Sequence, residues 1–147
     1  MITEFMRGIN VKRFMMAMGA VLVIFFVSDF IIHGVWLQPT YKATASLWRT
    51  ETDMNDHFVW MILAHLIFAK YFTYLFVKGY EGRGIGEGVR FGLVMGIFNI
   101  SNCLVQYTVS PIPGSLVANW AVEGIAQSIL CAIVATVVYK KCRRNGL

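Results

Sequence analysis

The chain has 147 residues and a formal net charge of +5; 57% of it is apolar, only 14% is charged, and its mean hydropathy is +0.61. Soluble domains typically carry roughly 45–50% apolar and about 25% charged residues, so a soluble domain and a disordered chain are both excluded. Three scattered cysteines, with no C-x-x-C pair, exclude a disulfide scaffold.

Crossing about 30 Å of hydrocarbon takes about 20 mostly apolar residues. Four segments qualify, at about 14–37, 58–77, 89–109 and 116–139. Period-2 alternation is absent, so an all-α bundle of four transmembrane helices in one domain spanning 1–147 is expected. The first segment follows Arg7, Lys12 and Arg13 like a signal peptide. It exceeds the usual 7–15 apolar residues and has no small-x-small cleavage site, so it is expected to remain as a span.

The first connection is long. Pro39 ends the first helix, and Tyr41, Ala45 and Trp48 then recur at helical spacing, which predicts a short helix lying in the interface. Glu51, Asp53 and Asp56 follow. They read as a capped turn into the second span, with Asp53 or Asn55 as N-cap, or alternatively as a cation- or partner-binding lip. The second connection, Gly79 to Gly88, carries five glycines in alternation with other residues before a helix. It fits neither G-x-G-x-x-G nor a P-loop and follows no strand, so it reads as a flexible turn and not a phosphate cradle. In the third, Pro111 and Pro113 stop the third helix and Ser115 is placed to cap the fourth.

Lys and Arg set orientation. Ten of them (Arg7, Lys12, Arg13, Lys78, Arg83, Arg90, Lys140, Lys141, Arg143 and Arg144) fall on the side of the termini, against Lys42 and Arg49 on the other. Both termini are therefore expected in the cytoplasm, and the charge serves topology and anionic lipid, not nucleic acid. Trp36, Trp48, Trp60 and Trp120 fall at the outer boundary and Tyr80 and Tyr139 at the inner one, as an aromatic belt would. Lys70 lies inside the second span, where it can snorkel inward or meet an acid of a neighbouring chain. Cys142, between basic residues near the C-terminus, reads as an exposed and inert thiol.

The spans carry polar stripes. Gly88, Gly92 and Gly96 form a double G-x-x-x-G on the third helix, which lets another backbone approach closely, within this chain or in a dimer. Asn99, Asn102, Cys103 and Gln106 continue that side outward; the fourth helix carries Asn119, Glu123 and Gln127, the first Asp29 and His33, the second His65. At ~1.5 Å per residue from each midpoint, Asp29, His65, Asn102 and Glu123 share a level about 4–7 Å toward the outer side. This reads as an outward-opening polar funnel. Amides at such depth are explained by interhelical hydrogen bonds, whereas an ionisable group needs pairing, protonation or water. Asp29 is expected to pair with His33, and Glu123 with His65. The ligand types of Asp29, His33, His65 and Glu123 suit a metal, but no tight ligand motif supports one. His33 and His65 differ in depth, which disfavours a bis-histidine haem. No cofactor is expected, and no nucleophile–base motif marks an enzyme.

The segment His33-Gly34-Val35-Trp36-Leu37-Gln38-Pro39 and the opening Gly88-Val89-Arg90-Phe91-Gly92-Leu93 resemble a family of small bacterial four-span membrane proteins of unknown function. That family shares a Gly-x-Trp-aromatic-x-Pro exit from helix one, where this chain has Leu37, and a Gly-x-x-x-Gly-Leu third helix. The resemblance implies a multi-pass protein of the bacterial inner membrane and no particular activity. Two functions stay open: ion, proton or small-solute handling through the polar cluster, and a non-catalytic accessory or assembly subunit of a larger membrane complex. The expected partners are the bilayer and either further copies or that complex.

Reporter fusions at Leu147 and within the 40–53 connection are expected to lie on opposite sides of the membrane. The same side for both would sink the four-span arrangement.

Overall fold

The computed structural model describes residues 7–140. Lys141, Cys142, Arg143 and Arg144, three of them counted in the charge bias, lie outside the described residues. Among the described residues there is no strand, and four helices are long and apolar enough to cross a membrane. They are α1 (Val11–Asp29), extended by a π-helical segment over Phe30–Trp36; α4 (Phe58–Gly79); α5 (Ile85–Val109); and α6 (Gly114–Tyr139). Between α1 and α4 run α2 (Gln38–Ala43), a 3₁₀ turn (Ala45–Leu47) and α3 (Glu51–Asp56).

The long helices run up and down, so Val11, Gly79, Ile85 and Tyr139 share one end, here the terminal end. Contacts there confirm the arrangement: the Tyr139 hydroxyl accepts from the Asn10 backbone N–H at 3.3 Å, the Arg13 guanidinium donates to the Lys140 carbonyl, and the Lys78 ammonium donates to the Arg7 carbonyl at 3.1 Å. α1 packs between α4 and α6, and α5 packs along α6. The core in the terminal half is mostly apolar: Phe14, Ala17 and Val21 of α1 meet Ala69, Phe72 and Phe76 of α4 and Cys131, Ala132 and Ala135 of α6. Phe91 of α5 closes it edge-on against Phe72 and Phe76. Outward-facing Val23, Phe30, Val94, Phe98 and Val109 are each more than half exposed. Such a surface is unfavourable in water and suited to lipid.

The closest backbone approach is between α5 and α6. A Cβ built at Gly88 would lie 2.8 Å from the Ala132 carbonyl oxygen, and one at Gly92 would lie 2.6 Å from that of Ser128 and 2.7 Å from the Ile129 nitrogen. A Cβ at Gly96 would strike Ile125, and from the other side one at Gly124 would lie 2.6 Å from Asn99 Nδ2. The glycine stripe thus faces a helix of its own chain. With lipid as solvent, close van der Waals packing of this kind drives helix association.

Several local expectations are corrected. The helix after Pro39 does not continue through Trp48. It breaks after Ala43, and Tyr41 and Trp48 turn onto the end of the bundle, with Trp48 packed edge-on against Trp120. Only Trp36 and Trp60 of the four tryptophans are largely exposed. Neither Asp53 nor Asn55 caps the second span: the Thr50 hydroxyl caps α3 by accepting from Asp53 N–H, and α4 starts at Phe58. Asp53 instead lies 2.8 Å from the Arg49 guanidinium and 3.2 Å from His57. The Arg49 hydrogen bond holds its carboxyl below the usual value. Ser115 does not cap α6; that helix begins at Gly114 behind Pro113.

The glycine-rich connection is held by a carboxylate. Glu87, in the first turn of α5, accepts backbone N–H groups from Glu81 at 2.5 Å, Gly82 at 3.0 Å and Arg83 at 2.8 Å. Gly82 and Gly84 both have φ of +86°, which other residues rarely adopt. Consecutive N–H groups of this kind form an anion nest, filled here by the chain's own side chain. Lys70 stays on the exposed face of α4, its ammonium 5.1 Å from the Tyr71 ring centroid.

Gly92→Ala is expected to push α5 from α6 and destabilise the fold by about 1–3 kcal/mol, the usual cost of overpacking. Gly92→Leu should cost more. Melting temperatures in detergent measure both, and unchanged values would mean that the contact is not tight.

Candidate functional site

The site forms where α1 stops being an α-helix. Pro39 has no N–H, and its ring would clash with the Val35 carbonyl of a continuing helix. The chain responds by widening: Leu37 N–H donates to the Ile32 carbonyl, five residues back, at 2.8 Å. π-helical turns inside α-helices are rare and often occur at functional sites. His33 lies inside this segment and Asp29 at its start.

Four ionisable side chains meet here, all from the halves of the helices away from the terminal end. His33 Nε2 lies 3.2 Å from Glu123 Oε1 on α6 and 3.6 Å from Asp29 Oδ1. His65 Nε2, on α4, lies 3.3 Å from Asp29 Oδ2. Asp29 therefore stands between the two imidazoles, and His33 between the two carboxylates. The expected pairing of Asp29 with His33 is present; that of Glu123 with His65 is not, because Glu123 meets His33 and His65 meets Asp29. The side chains of Glu123 and His65 are only 10% and 8% exposed, against 25% for Asp29 and 33% for His33.

Hydrogen-bond chemistry fixes protons within this group. His65 Nδ1 lies 2.7 Å from the Met61 carbonyl oxygen, which only accepts, so Nδ1 carries a hydrogen. The ring is wedged between Phe25 at 4.9 Å and Phe26 at 5.4 Å, centroid to centroid. On the other side, Trp120 Nε1 donates to the Tyr41 hydroxyl at 2.9 Å, and that hydroxyl lies 2.6 Å from His33 Nδ1. An indole N–H only donates. The direction that satisfies every group runs from Trp120 to Tyr41, from Tyr41 to His33 Nδ1, and from His33 Nε2–H toward the carboxylates. Burial pushes the Tyr41 phenol above its ordinary value, against the donated Trp120 bond, and the charges of Glu123 and Asp29 add to the rise. Tyr41 is thus kept protonated as a donor.

The remaining predicted residues divide by location. Gln127 is buried, and its amide donates to the Ser28 hydroxyl at 2.9 Å and to the Phe25 carbonyl at 3.4 Å, tying α6 to α1. Asn99 is half-buried against Gly124, and Asn119 is half-buried. Asn102 is exposed, and exposed Gln106 donates to Ser110 on its own helix at 2.9 Å. These two amides do not join the ionisable group. Among the described residues, no three His, Cys, Asp or Glu side chains are placed to hold a metal ion. A cleft of about 320 Å³ lies between α1 and α4, lined by Leu22, Val23, Phe26, Val27, Ile62 and Leu66 with His65 at its edge.

Sequence reasoning missed Tyr41, Trp120 and Ser28 as partners of this group. The sequence places Tyr41 on a short interfacial helix and Trp120 in the aromatic belt, where amphipathic rings near a span boundary usually sit. The available signal was Pro39, which forces the chain to turn back over the end of α1 and so brings Tyr41 above His33.

Three comparisons, with protein-family models, curated proteins and solved structures, find no match to this chain.

Tyr41→Phe keeps the ring and removes the hydroxyl between Trp120 and His33. Leaving buried polar groups unpartnered costs about 1–3 kcal/mol. A lower melting temperature is expected; Tyr71→Phe, on an exposed face, is the control and should leave it unchanged.

Proposed function

We propose that this chain is a multi-pass protein of the bacterial inner membrane, with both termini cytoplasmic, that binds and exchanges protons at the Asp29–His33–His65–Glu123 group. The observation that carries the reading is the meeting of two carboxylates and two imidazoles from three separate helices, each within 3.6 Å of the next, with the side chains of Glu123 and His65 only 10% and 8% exposed. Ionisable groups in such a place are expensive, and transporters and pumps use chains of Asp, Glu and His as proton relays. Imidazole is suited to this work because its charge changes near neutral pH.

The group faces the end opposite the termini, which the Lys/Arg bias assigns to the outer side. Toward the terminal end the core is apolar apart from Ser128, Thr73 and Thr136. Exchange with the outside is therefore direct, and release inward requires the helices to move. The π-helical segment and the Tyr41 contact are where that movement would begin, since both hold His33 in place. Handling of a small solute in exchange for the proton is consistent with this arrangement.

The second reading, an accessory or assembly subunit, draws on Lys70: a charged residue on an exposed face midway along an apolar helix suits an acidic partner helix.

The test is proton flux in reconstituted vesicles, followed with a pH-sensitive dye. Asp29→Asn and Glu123→Gln are expected to abolish flux while retaining a cooperative melting transition, because each keeps its shape and interrupts the relay. A wild-type protein without flux under any imposed gradient would end the proton reading and favour the subunit reading.

A further inference from the structure

α5 packs extensively against α6 only, with Phe91 reaching across to the rings of α4. The side of α5 that carries Gly88, Gly92 and Gly96 is filled by α6. At about 100° per residue, Val94, Phe98, Ser101, Asn102, Val105 and Val109 fall together within an arc of about 100° turned away from that side. The four apolar members are each at least 62% exposed, and Ser101 and Asn102 are exposed between them. We infer that this face of α5 is the contact with a second copy of the chain, and that the Asn102 amides of the two copies bond to each other across a two-fold axis. The inference rests on the membrane-spanning reading of the chain and is independent of the proton reading.

Asn102 singles out this face. Its neighbours satisfy themselves within their own helix: the Ser101 hydroxyl donates to the Phe98 carbonyl at 2.7 Å, and the Gln106 amide to Ser110 at 2.9 Å. Among the described residues the Asn102 amide makes no hydrogen bond. It lies seven residues before the last residue of α5, Val109, or about 10 Å along the axis. A lysine stem could reach toward water from such a depth, but the short asparagine side chain does not. Polar groups inside a membrane face another helix and not lipid, so this amide needs a partner outside the chain.

The chemistry of the amide selects a second copy as that partner. An asparagine offers both donors and an acceptor, so two of them satisfy each other. Copies inserted in the same orientation are related by an axis along the membrane normal, which brings each residue of the contact to the depth of its own counterpart. Lys70, exposed on α4, could not pair with itself in this way, because like charges would meet. The apolar flanks fit the same arrangement. Val94, Phe98, Asn102, Val105 and Val109 recur at intervals of four, four, three and four, the spacing of a seam between two helices, and one asparagine in such a seam fixes its register.

Energy transfer between donor- and acceptor-labelled copies in lipid vesicles, followed on dilution with lipid, tests the inference. The wild type is expected to associate reversibly. Asn102→Leu should weaken association about tenfold, in line with interhelical hydrogen bonds in model membrane peptides. Asn102→Gln, which keeps the amide, should associate like the wild type. Because Asn102 is exposed, its melting temperature under monomeric conditions should not fall with either change. Oxidative cross-linking maps the face in a Cys142→Ser background, where Cys103 and Cys131 are buried. Val105→Cys should give a cross-linked dimer, and Val23→Cys, equally exposed on α1, should not. A monomeric wild type, unweakened association of Asn102→Leu, or cross-linking at Val23→Cys in place of Val105→Cys would each overturn the assignment. None of these readouts depends on proton flux, so the two proposals fail separately.

Discussion

A charged group taken out of water must find compensation within the protein, and in an apolar bundle the compensation has to come from another helix. His33 meets this need for both carboxylates at once. It touches Asp29 on its own helix and Glu123 on α6, and through Asp29 it reaches His65 on α4. The packing of α1 between α4 and α6 depends on this arrangement in the half away from the termini, as it depends on Phe14, Ala17 and Val21 in the terminal half. Removing one partner would leave another ionisable group without its contact, so the group acts as a joint between three helices.

The two halves of the bundle have different physics. The terminal half is closed by rings and small residues, and the α5–α6 glycine contact is rigid because a backbone occupies the space where side chains would otherwise adjust. The half away from the termini is held by polar and ionisable contacts. The π-helical segment adds to this, since its wider ladder is less favourable than an α-helix and persists where the surroundings require it. Here Pro39 imposes the break, and the Trp120–Tyr41–His33 chain holds the result. Motion should concentrate where hydrogen bonds can be exchanged and not where backbones are in contact.

Glu87 shows the same rule at the terminal end. Backbone N–H groups released by the glycine turns would attract any anion, and the first turn of α5 supplies one from the chain itself. The connection is therefore ordered, where its composition alone suggested a flexible turn.

Length, apolarity and the placement of Lys and Arg determined four long helices and their approximate limits, because crossing hydrocarbon needs a minimum run that composition displays directly. The spacing of Gly88, Gly92 and Gly96 likewise announced a close approach, since only helical periodicity places them on one face. What α5 approaches was a tertiary matter: the stripe is equally suited to a second copy or to α6, and only the chain's path decides. The same holds for the site. Asp29, His65, Asn102 and Glu123 were readable as a level, with His33 further out, because depth follows from counting residues. Their partners were not, because pairing depends on rotation about each helix, on the widened turn at Phe30–Trp36 and on a short helix folded back across the end. Asn102 shares that level yet lies on the exposed surface, as Gln106 does further along, since depth fixes one coordinate and packing fixes the others.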